Sequence, residues 1–309
     1  MQCFDNLRVL PQDVKDAVIA VGNFDGVHRG HQALLREARG IADKLGKKLG
    51  VLTFEPHPRR LFRPDDPPFR LTPLAVKKRR LEESGIDLLF SLTFDWDFAS
   101  QSAEQFIDRV LKDSLRPAHI IVGKDFCFGQ LRKGNPETLK DAGLPVDVIE
   151  KVVCDAEGDS ISSSRIRQSL RSGDIEAANG WLGWPWEIEG TVVRGDQRGR
   201  ELGFPTANAG LGETLHPAYG VYASLVKIGN EKEWLPSATN IGIRPMFKLA
   251  EGQMETFIFD FSRDIYGQSL RVRPVKRLRG EAKFESLDAL IVQMKADCEQ
   301  ARRILKGMT

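Results

Sequence analysis

The stretch Ala17-Val18-Ile19-Ala20-Val21-Gly22-Asn23-Phe24-Asp25-Gly26-Val27-His28-Arg29-Gly30-His31 decides how the first half of this chain folds. Its opening run is short, apolar and ends at a glycine, as expected of a strand buried on both faces of a parallel sheet. From His31 onward Leu34, Leu35, Ala38, Ile41, Ala42 and Leu45 recur at helical spacing, so strand, turn and helix follow directly on one another. His28 and His31 stand three apart at the opening of that helix, on one face, and Gly30 lets a ligand come close to the backbone. A helix N-terminus already attracts anions, and imidazoles add hydrogen-bond donors for a phosphate. Alone, such a histidine pair reads as metal ligation or a solvated cap. The Gly-Asn-Phe-Asp-Gly turn ahead of it, with Gly22, Phe24, Asp25 and Gly26, shifts the reading toward a nucleotide.

Working outward, residues 49–54, 88–92, 118–123 and 145–153 read as further strands. Residues 77–84 read as a helix, and Ser102 with Gln105 forms a capping box ahead of Phe106, Val110 and Leu111. The alternation predicts a doubly wound α/β sheet, whose ligands bind beyond the carboxyl ends of the strands. Two more strand ends are enriched in aromatics, histidine and glycine: Phe54 with His57, and Asp125, Phe126 and Phe128. The run Lys77-Lys78-Arg79-Arg80 lies in an amphipathic pattern with Leu74, Val76, Leu81 and Ile86 and reads as a solvated helix face. Ser163, Ser164 and Arg167 place hydroxyls and a guanidinium at a helix start. That suits a polyphosphate, although a plain serine cap with solvated arginines accounts for this motif taken alone.

After Trp184-Pro185-Trp186 the texture changes. Residues 187–194, 220–228, 234–240, 254–261 and 269–278 read as short strands broken by Gly, Pro and Asn, which argues for an antiparallel barrel. Ser286 then caps a helix whose stripe of Leu287, Leu290, Ile291, Met294, Cys298, Ala301 and Leu305 reads as packing surface. Between the first two strands stands Gly195-Asp196-Gln197-Arg198-Gly199-Arg200-Glu201-Leu202-Gly203-Phe204-Pro205-Thr206-Ala207-Asn208. Its glycines alone fit an ordinary hairpin. Thr206 and Asn208, two apart in extended chain, point to the same side. Both offer oxygens suited to Mg2+ and phosphate, against the plainer reading of an edge turn bonded to itself. Glu255 opens an otherwise apolar strand and could accept a proton from an attacking hydroxyl. Strand alternation by itself favours a solvent-facing glutamate.

The 309 residues allow two domains, which the change of texture places at 1–180 and 181–309. A formal charge of +2 gives no global basic field of the kind nucleic-acid binding needs. Cys3, Cys127, Cys154 and Cys298 are scattered without zinc or redox spacing, so reduced, mostly buried thiols are expected, as in a cytoplasm. Neither a signal peptide nor an apolar run of transmembrane length is seen. Partners are expected to be small molecules, with neither nucleic acid nor membrane, and any self-association to be weak.

Residues 22–31, Pro56-His57-Pro58, residues 122–129 and residues 161–167 together resemble the adenylyltransferase half of bacterial bifunctional riboflavin kinase/FAD synthetase, part of the Rossmann-like nucleotidyltransferase superfamily marked by His-x-Gly-His. The second half resembles the riboflavin kinase module of the same family, a six-stranded antiparallel barrel, through residues 195–208, Gly220-Val221-Tyr222, residues 240–245, Glu255, Asp264-Ile265-Tyr266-Gly267 and residues 279–284. The resemblance implies that riboflavin and ATP give FMN in the second half, and FMN and ATP give FAD and pyrophosphate in the first, both with Mg2+. It assigns His28 and His31 to the ATP phosphates, and Ser163, Ser164 and Arg167 to the β- and γ-phosphates. Gly22, Phe24, Asp25, Gly26 and Gly30 fall to the nucleotide loop, and Phe54, His57, Asp125, Phe126 and Phe128 to the flavin. In the kinase it assigns Gly195, Gly199 and Gly203 to phosphate, Thr206 and Asn208 to Mg2+ and ATP, Glu255 to the general base, and Arg279 and Glu281 to a segment closing over the flavin. Met246 stands where the family usually has Thr, and Trp184-Pro185-Trp186 replaces a Tyr-containing linker. Two other readings are weighed: an enzyme with one working site, hinted at only by Met246, and a flavin-dependent oxidoreductase. The first turn lacks the Gly-x-Gly-x-x-Gly of dinucleotide binders, which counts against the latter.

Overall fold

The computed structural model describes residues 1–150, 160–195, 199, 202–246 and 249–308, with the backbone alone at 244–246 and 249–251. The parts of the expected strand 145–153 beyond 150, residues 196–198, 200 and 201 of the second glycine signature, Cys154 and the side chain of Met246 lie outside the described residues. By contacts the chain divides into two compact units, one of residues 1–66 and 72–162, the other of residues 67–71 and 163–309.

The first unit is built on β1 (Gln2–Phe4), β2 (Val18–Val21), β3 (Leu49–Glu55), β4 (Leu88–Thr93), β5 (His119–Gly123) and β6 (Val146–Ile149). These form one sheet in the order β1-β4-β3-β2-β5-β6, all paired in parallel. Period-two alternation feeds two cores, one on each face. Ile19, Val21, Leu52, Phe54, Phe90 and Val122 join one, with Phe106, Val110 and Leu111. Val18, Ala20, Leu49, Val51, Leu89 and Ile121 join the other, with Leu34, Leu35, Ala38 and Leu81. That is why these strands read as continuous apolar runs rather than alternating ones. The connecting helices are α1 (Arg29–Leu45), α2 (Pro58–Phe62), α3 (Leu74–Glu83), α4 (Trp96–Ala99), α5 (Ala103–Gln105) and α6 (Pro136–Asp141). The Ser102–Gln105 capping box is formed, and α5 runs on into a π-helical stretch, Phe106–Leu115. The strand order reverses beside β2, whose neighbours are β3 and β5, and this is where a doubly wound sheet opens a crevice.

The second unit begins with α7 (Ser163–Ser172) and α8 (Ile175–Leu182). It continues as β7 (Ile188–Val193), β8 (Ala207–Gly210), β9 (Gly220–Ile228), β10 (Leu235–Met246), β11 (Leu249–Ile258) and β12 (Ser269–Arg279), closed into a barrel in the order β10-β11-β8-β7-β12-β9. Closure removes the exposed edges that an open antiparallel sheet would leave. A last helix, α9 (Leu287–Leu305), packs on β9, β10 and β12. Ala223 and Leu225 face it and share a core with Ala301 and Leu305. Inside the barrel, Ser224, Ser237, Thr239 and Thr256 are fully buried and bonded hydroxyl to hydroxyl, so the polar groups there are satisfied. Residues 67–71 belong with this unit: Phe69 and Leu71 are fully buried, and the indole of Trp186 donates to the Leu71 carbonyl at 3.0 Å.

Several sequence expectations need correction. The 77–80 run is not a solvated face: Lys77 is fully buried and Arg80 nearly so, because α3 presses that side against the sheet. Of the three described cysteines, Cys3 and Cys127 are exposed and Cys298 is half-buried, where burial and the neighbouring Asp297 push its thiol up to about 11. β1 and β8, at three and four residues, are too short to show a period of their own. On α9 the stripe packs at its C-terminal end, whereas Leu287 is exposed.

Candidate active sites

In the first unit the end of β2 delivers residues 22–28 into the crevice, and His28 caps α1. Its Nδ1 accepts the backbone N–H of His31 at 3.3 Å, so a neutral His28 carries its proton on Nε2. The two imidazoles stack with centroids 3.7 Å apart, and Phe24 leans on His31 at 5.2 Å. Burial, then the His28 ring, then the Lys77 charge hold the imidazolium form of His31 well below the usual histidine range. His31 is therefore uncharged near neutrality.

Asp25 is buried and turned into the loop, where its carboxylate accepts the backbone N–H of Thr72 at 3.0 Å and the Thr72 hydroxyl at 3.3 Å. The same hydroxyl accepts the Gly26 N–H at 2.8 Å. These bonds fix the turn that aims His28. Thr72→Val keeps the shape but removes both hydroxyl bonds, at a cost of about 1–3 kcal/mol. We expect a lower melting temperature and a loss of FAD formation larger than any loss of FMN formation, checked by differential scanning calorimetry and flavin chromatography.

Two cavities flank this loop. The smaller, about 220 Å³, is lined by Gly22, Phe24, His28, Gly30, His31 and Asp125 among others. The larger, about 820 Å³, takes in Phe54, His57, Phe126 and Phe128 as expected, together with Phe62, Phe94, Trp96 and Phe98. Gly22, Asp125 and Phe126 line both, so the two spaces share a wall. Phe62, Phe94, Trp96 and Phe98 escaped the sequence reading, although Phe94-Asp95-Trp96-Asp97-Phe98 is an aromatic run just past β4. Edge-on contacts near 6 Å, Phe62–Phe94 and Phe62–Trp96, hold these rings as a box for a planar apolar group. Ser163, Ser164 and Arg167 open α7 in the second unit, where the Arg167 Nε donates to the Phe69 carbonyl at 2.8 Å.

In the barrel, β8 and β11 pair so that Asn208 lies directly opposite Glu255. Cross-strand partners share a face. On β11, Met254, Thr256 and Ile258 turn inward, whereas Gln253 and Glu255 turn outward toward Asn208. Gln253 donates to Asn208 Oδ1 at 2.9 Å, and Asn208 Nδ2 donates to the Thr206 carbonyl at 3.2 Å. A cavity of about 420 Å³ is lined by Gly195, Thr206, Asn208, Thr256, Asp264 and Tyr266, among others. Glu255, Arg279 and Glu281 are outside that lining. The Arg279 side chain is held by Asp297 of α9, with contacts of 2.8–3.2 Å, and Glu281 sits against Gly242.

Two glycines of the second signature are required by close approach. A Cβ on Gly195 would stand 2.7 Å from the Asn208 amide, and one on Gly199 would stand 2.4 Å from the Phe204 carbonyl. Gly203 lies in the same loop. Gly195→Ala therefore displaces the Asn208 side chain. We expect FMN formation to fall while adenylylation of supplied FMN is unchanged, measured as separate initial rates.

A family model described as FAD synthetase matches residues 10–165, and one described as riboflavin kinase matches residues 182–305. The chain is 40% identical over 306 residues to the bifunctional riboflavin kinase/FMN adenylyltransferase of Escherichia coli K12, covering 98% of this chain and 96% of that protein. The chain belongs to the bifunctional riboflavin kinase/FMN adenylyltransferase family. The Bacillus subtilis relative of the same name is 36% identical, over 97% of this chain and 96% of that one. A Streptococcus pneumoniae crystal structure described as a macrolide-efflux protein superposes with TM-score 0.85 at 35% identity, covering 97% of this chain and 98% of that chain. That description stays with that protein. Among the described residues no helix here is long and apolar enough to cross a membrane. The FMN adenylyltransferase module thus comes first and the riboflavin kinase module second, and the chain makes FMN from riboflavin and FAD from FMN, with ATP as co-substrate in both steps.

Proposed function

We propose that adenylyl transfer takes place across the wall shared by the two cavities of the first unit. The observation that carries this is that wall itself: Gly22, Asp125 and Phe126 border both the histidine cavity and the aromatic box. ATP occupies the histidine side and the isoalloxazine of FMN the aromatic side, which brings the FMN phosphate toward the α-phosphorus. An FMN phosphate oxygen forms the new P–O bond as the bond to pyrophosphate breaks. His28 donates from Nε2–H and His31 as a neutral imidazole, to oxygens that gain charge in the transition state. No covalent enzyme intermediate is needed, since orientation and charge stabilisation suffice.

In the barrel, Glu255 takes the proton of the ribityl 5′-hydroxyl as that oxygen attacks the γ-phosphorus of ATP and ADP departs. The glycine loop of Gly195, Gly199 and Gly203 borders the phosphates, while Arg279 and Glu281 belong to the flavin side. Mg2+ fits the donor set at Thr206 and Asn208. The hydroxyl and amide are hard neutral oxygens, Asn208 Oδ1 keeps a lone pair beyond its bond to Gln253, and Asp264 adds a carboxylate to the same cavity. Among the described residues no cluster of three or more His, Cys, Asp or Glu offers a dedicated metal cage, which fits an ion brought by ATP. When bound, Mg2+ neutralises the phosphate charge. We assign residues 1–180 to adenylylation and 181–309 to phosphorylation. The working compartment is the cytoplasm and the partners are small molecules, with any self-association weak.

The test is flavin chromatography after incubating the purified chain with riboflavin, ATP and Mg2+. FMN appearing first and FAD following supports two sites working in sequence. FMN alone counts against the assignment of the first unit, and FAD without transient FMN counts against free passage between sites.

A further inference from the structure

Lys77 is a buried cation that the two-site chemistry above does not use. It lies on α3 and is fully buried. Its ammonium donates to Glu55 Oε1 at 2.8 Å and to Thr53 Oγ1 at 3.4 Å, both on β3. Thr53, also fully buried, donates in turn to the Asn23 carbonyl at 3.2 Å. One residue earlier, the Gly22 N–H is bonded to the Leu52 carbonyl at 3.1 Å. Lys77 is thus tied, through one hydroxyl, to the turn that carries the nucleotide loop. A buried lysine is costly to keep charged unless it is paired and serves a purpose. An alkyl side chain would fill the same space without that cost.

We propose that Lys77 is a positioning residue of the adenylyltransferase site: clamped by Glu55 and Thr53, it fixes the Asn23 turn and brings its charge to bear on the stacked His28–His31 pair. The proposal rests on the assignment of that pair to adenylyl transfer. Lys77 acts through His31, whose protonation its charge disfavours, after burial and the His28 ring. The charge and the stacking work in one direction. Two rings 3.7 Å apart cannot both be cationic at low cost, and the Lys77 charge adds to what disfavours protonation at position 31. Among the described residues, the other ionisable groups around the pair are Asp25 in the loop, Lys124 and Asp125 past β5, and Glu150 past β6. Asp25 is engaged with Thr72, and Lys124 is paired with Glu150.

Lys77→Met tests this, with the double variant Lys77→Met/Glu55→Gln made alongside so that the charge of the Lys77 partner is removed with it. The readouts are kcat and KM for FAD formation from supplied FMN across pH, FMN formation as the second activity of the same chain, and the proton resonances of the His31 ring. In the wild type, His31 is expected to stay neutral through the pH range where free histidine titrates. In the variants, kcat for FAD formation is expected to fall about tenfold, as for loss of one preorganised electrostatic contact. KM for ATP is expected to move little, and the acid limb of the kcat profile to shift to higher pH together with the His31 titration. FMN formation is expected to remain. An unshifted acid limb and His31 titration in the folded double variant would mean that Lys77 only packs, and the proposal falls. It falls equally if wild-type His31 titrates as an ordinary histidine, a result that requires no variant to fold. If His28→Ala itself leaves FAD formation intact, the assignment of the pair is wrong. If His28→Ala is inactive while Lys77→Met keeps the wild-type rate and profile, only the role of Lys77 is lost.

Discussion

His28→Ala is expected to stop FAD formation while FMN formation from riboflavin continues. The imidazole has two jobs that the structure separates. Its Nδ1 caps α1 by accepting the His31 N–H at 3.3 Å, and its ring lines the smaller cavity. Loss of the cap costs roughly 1 kcal/mol of stability. Loss of a donor aimed at a charge-developing oxygen costs about 10²–10³-fold in kcat. His28→Asn isolates the second effect, because asparagine also caps helices well but places no donor where Nε2 stood. Both variants are expected to melt within a few degrees of the wild type, and both to lose adenylylation of supplied FMN in a chromatographic assay. Parallel loss of both activities would point to global damage and remove the support for two independent sites.

The sequence was most legible where local pattern and global fold agree. β2, its glycine turn and α1 stand where the periodicity puts them, because a strand covered on both faces must be apolar throughout and a helix with one covered face must repeat near every fourth residue. The Ser102–Gln105 box is likewise a local device and was readable as one. What escaped was set by contacts remote in sequence. Lys77 looks solvent-facing on its own helix, and the approach of Glu55 and Thr53 from β3 helps make its burial tolerable. Asp25 sits in a nucleotide-type loop, yet its carboxylate is spent on Thr72, 47 residues away. The aromatic box draws Phe54 from β3, Phe62 from α2, and Phe94, Trp96 and Phe98 from the stretch that follows β4. No single window of sequence contains it. The pairing of Asn208 with Glu255 depends on β8, which is too short to announce itself.

Glu255→Gln is expected to leave the barrel folded and adenylylation intact while phosphorylation of riboflavin fails. Glu255 is exposed on a strand whose inward residues are Met254, Thr256 and Ile258, so neither packing nor the buried hydroxyl network requires a carboxylate there. The antiparallel register places it across from Asn208, with Gln253 beside it holding Asn208 Oδ1 at 2.9 Å. The outward stripe of β11 therefore carries Gln253, which holds the Asn208 amide, and, two residues on, the Glu255 carboxylate. Glutamine keeps the size and the strand but cannot accept a proton at neutral pH, and removal of a general base costs about 10²–10⁴-fold in rate. Gln253→Ala provides the contrast: it frees Asn208 without touching the proton acceptor, so it is expected to raise KM for ATP more than it lowers kcat. Initial rates of FMN and FAD formation, measured separately with supplied riboflavin and supplied FMN, decide the matter. If Glu255→Gln still phosphorylates riboflavin at near the wild-type rate, the proton goes elsewhere. Asp264, which lines the same cavity as Thr206 and Asn208, is then the carboxylate to replace next.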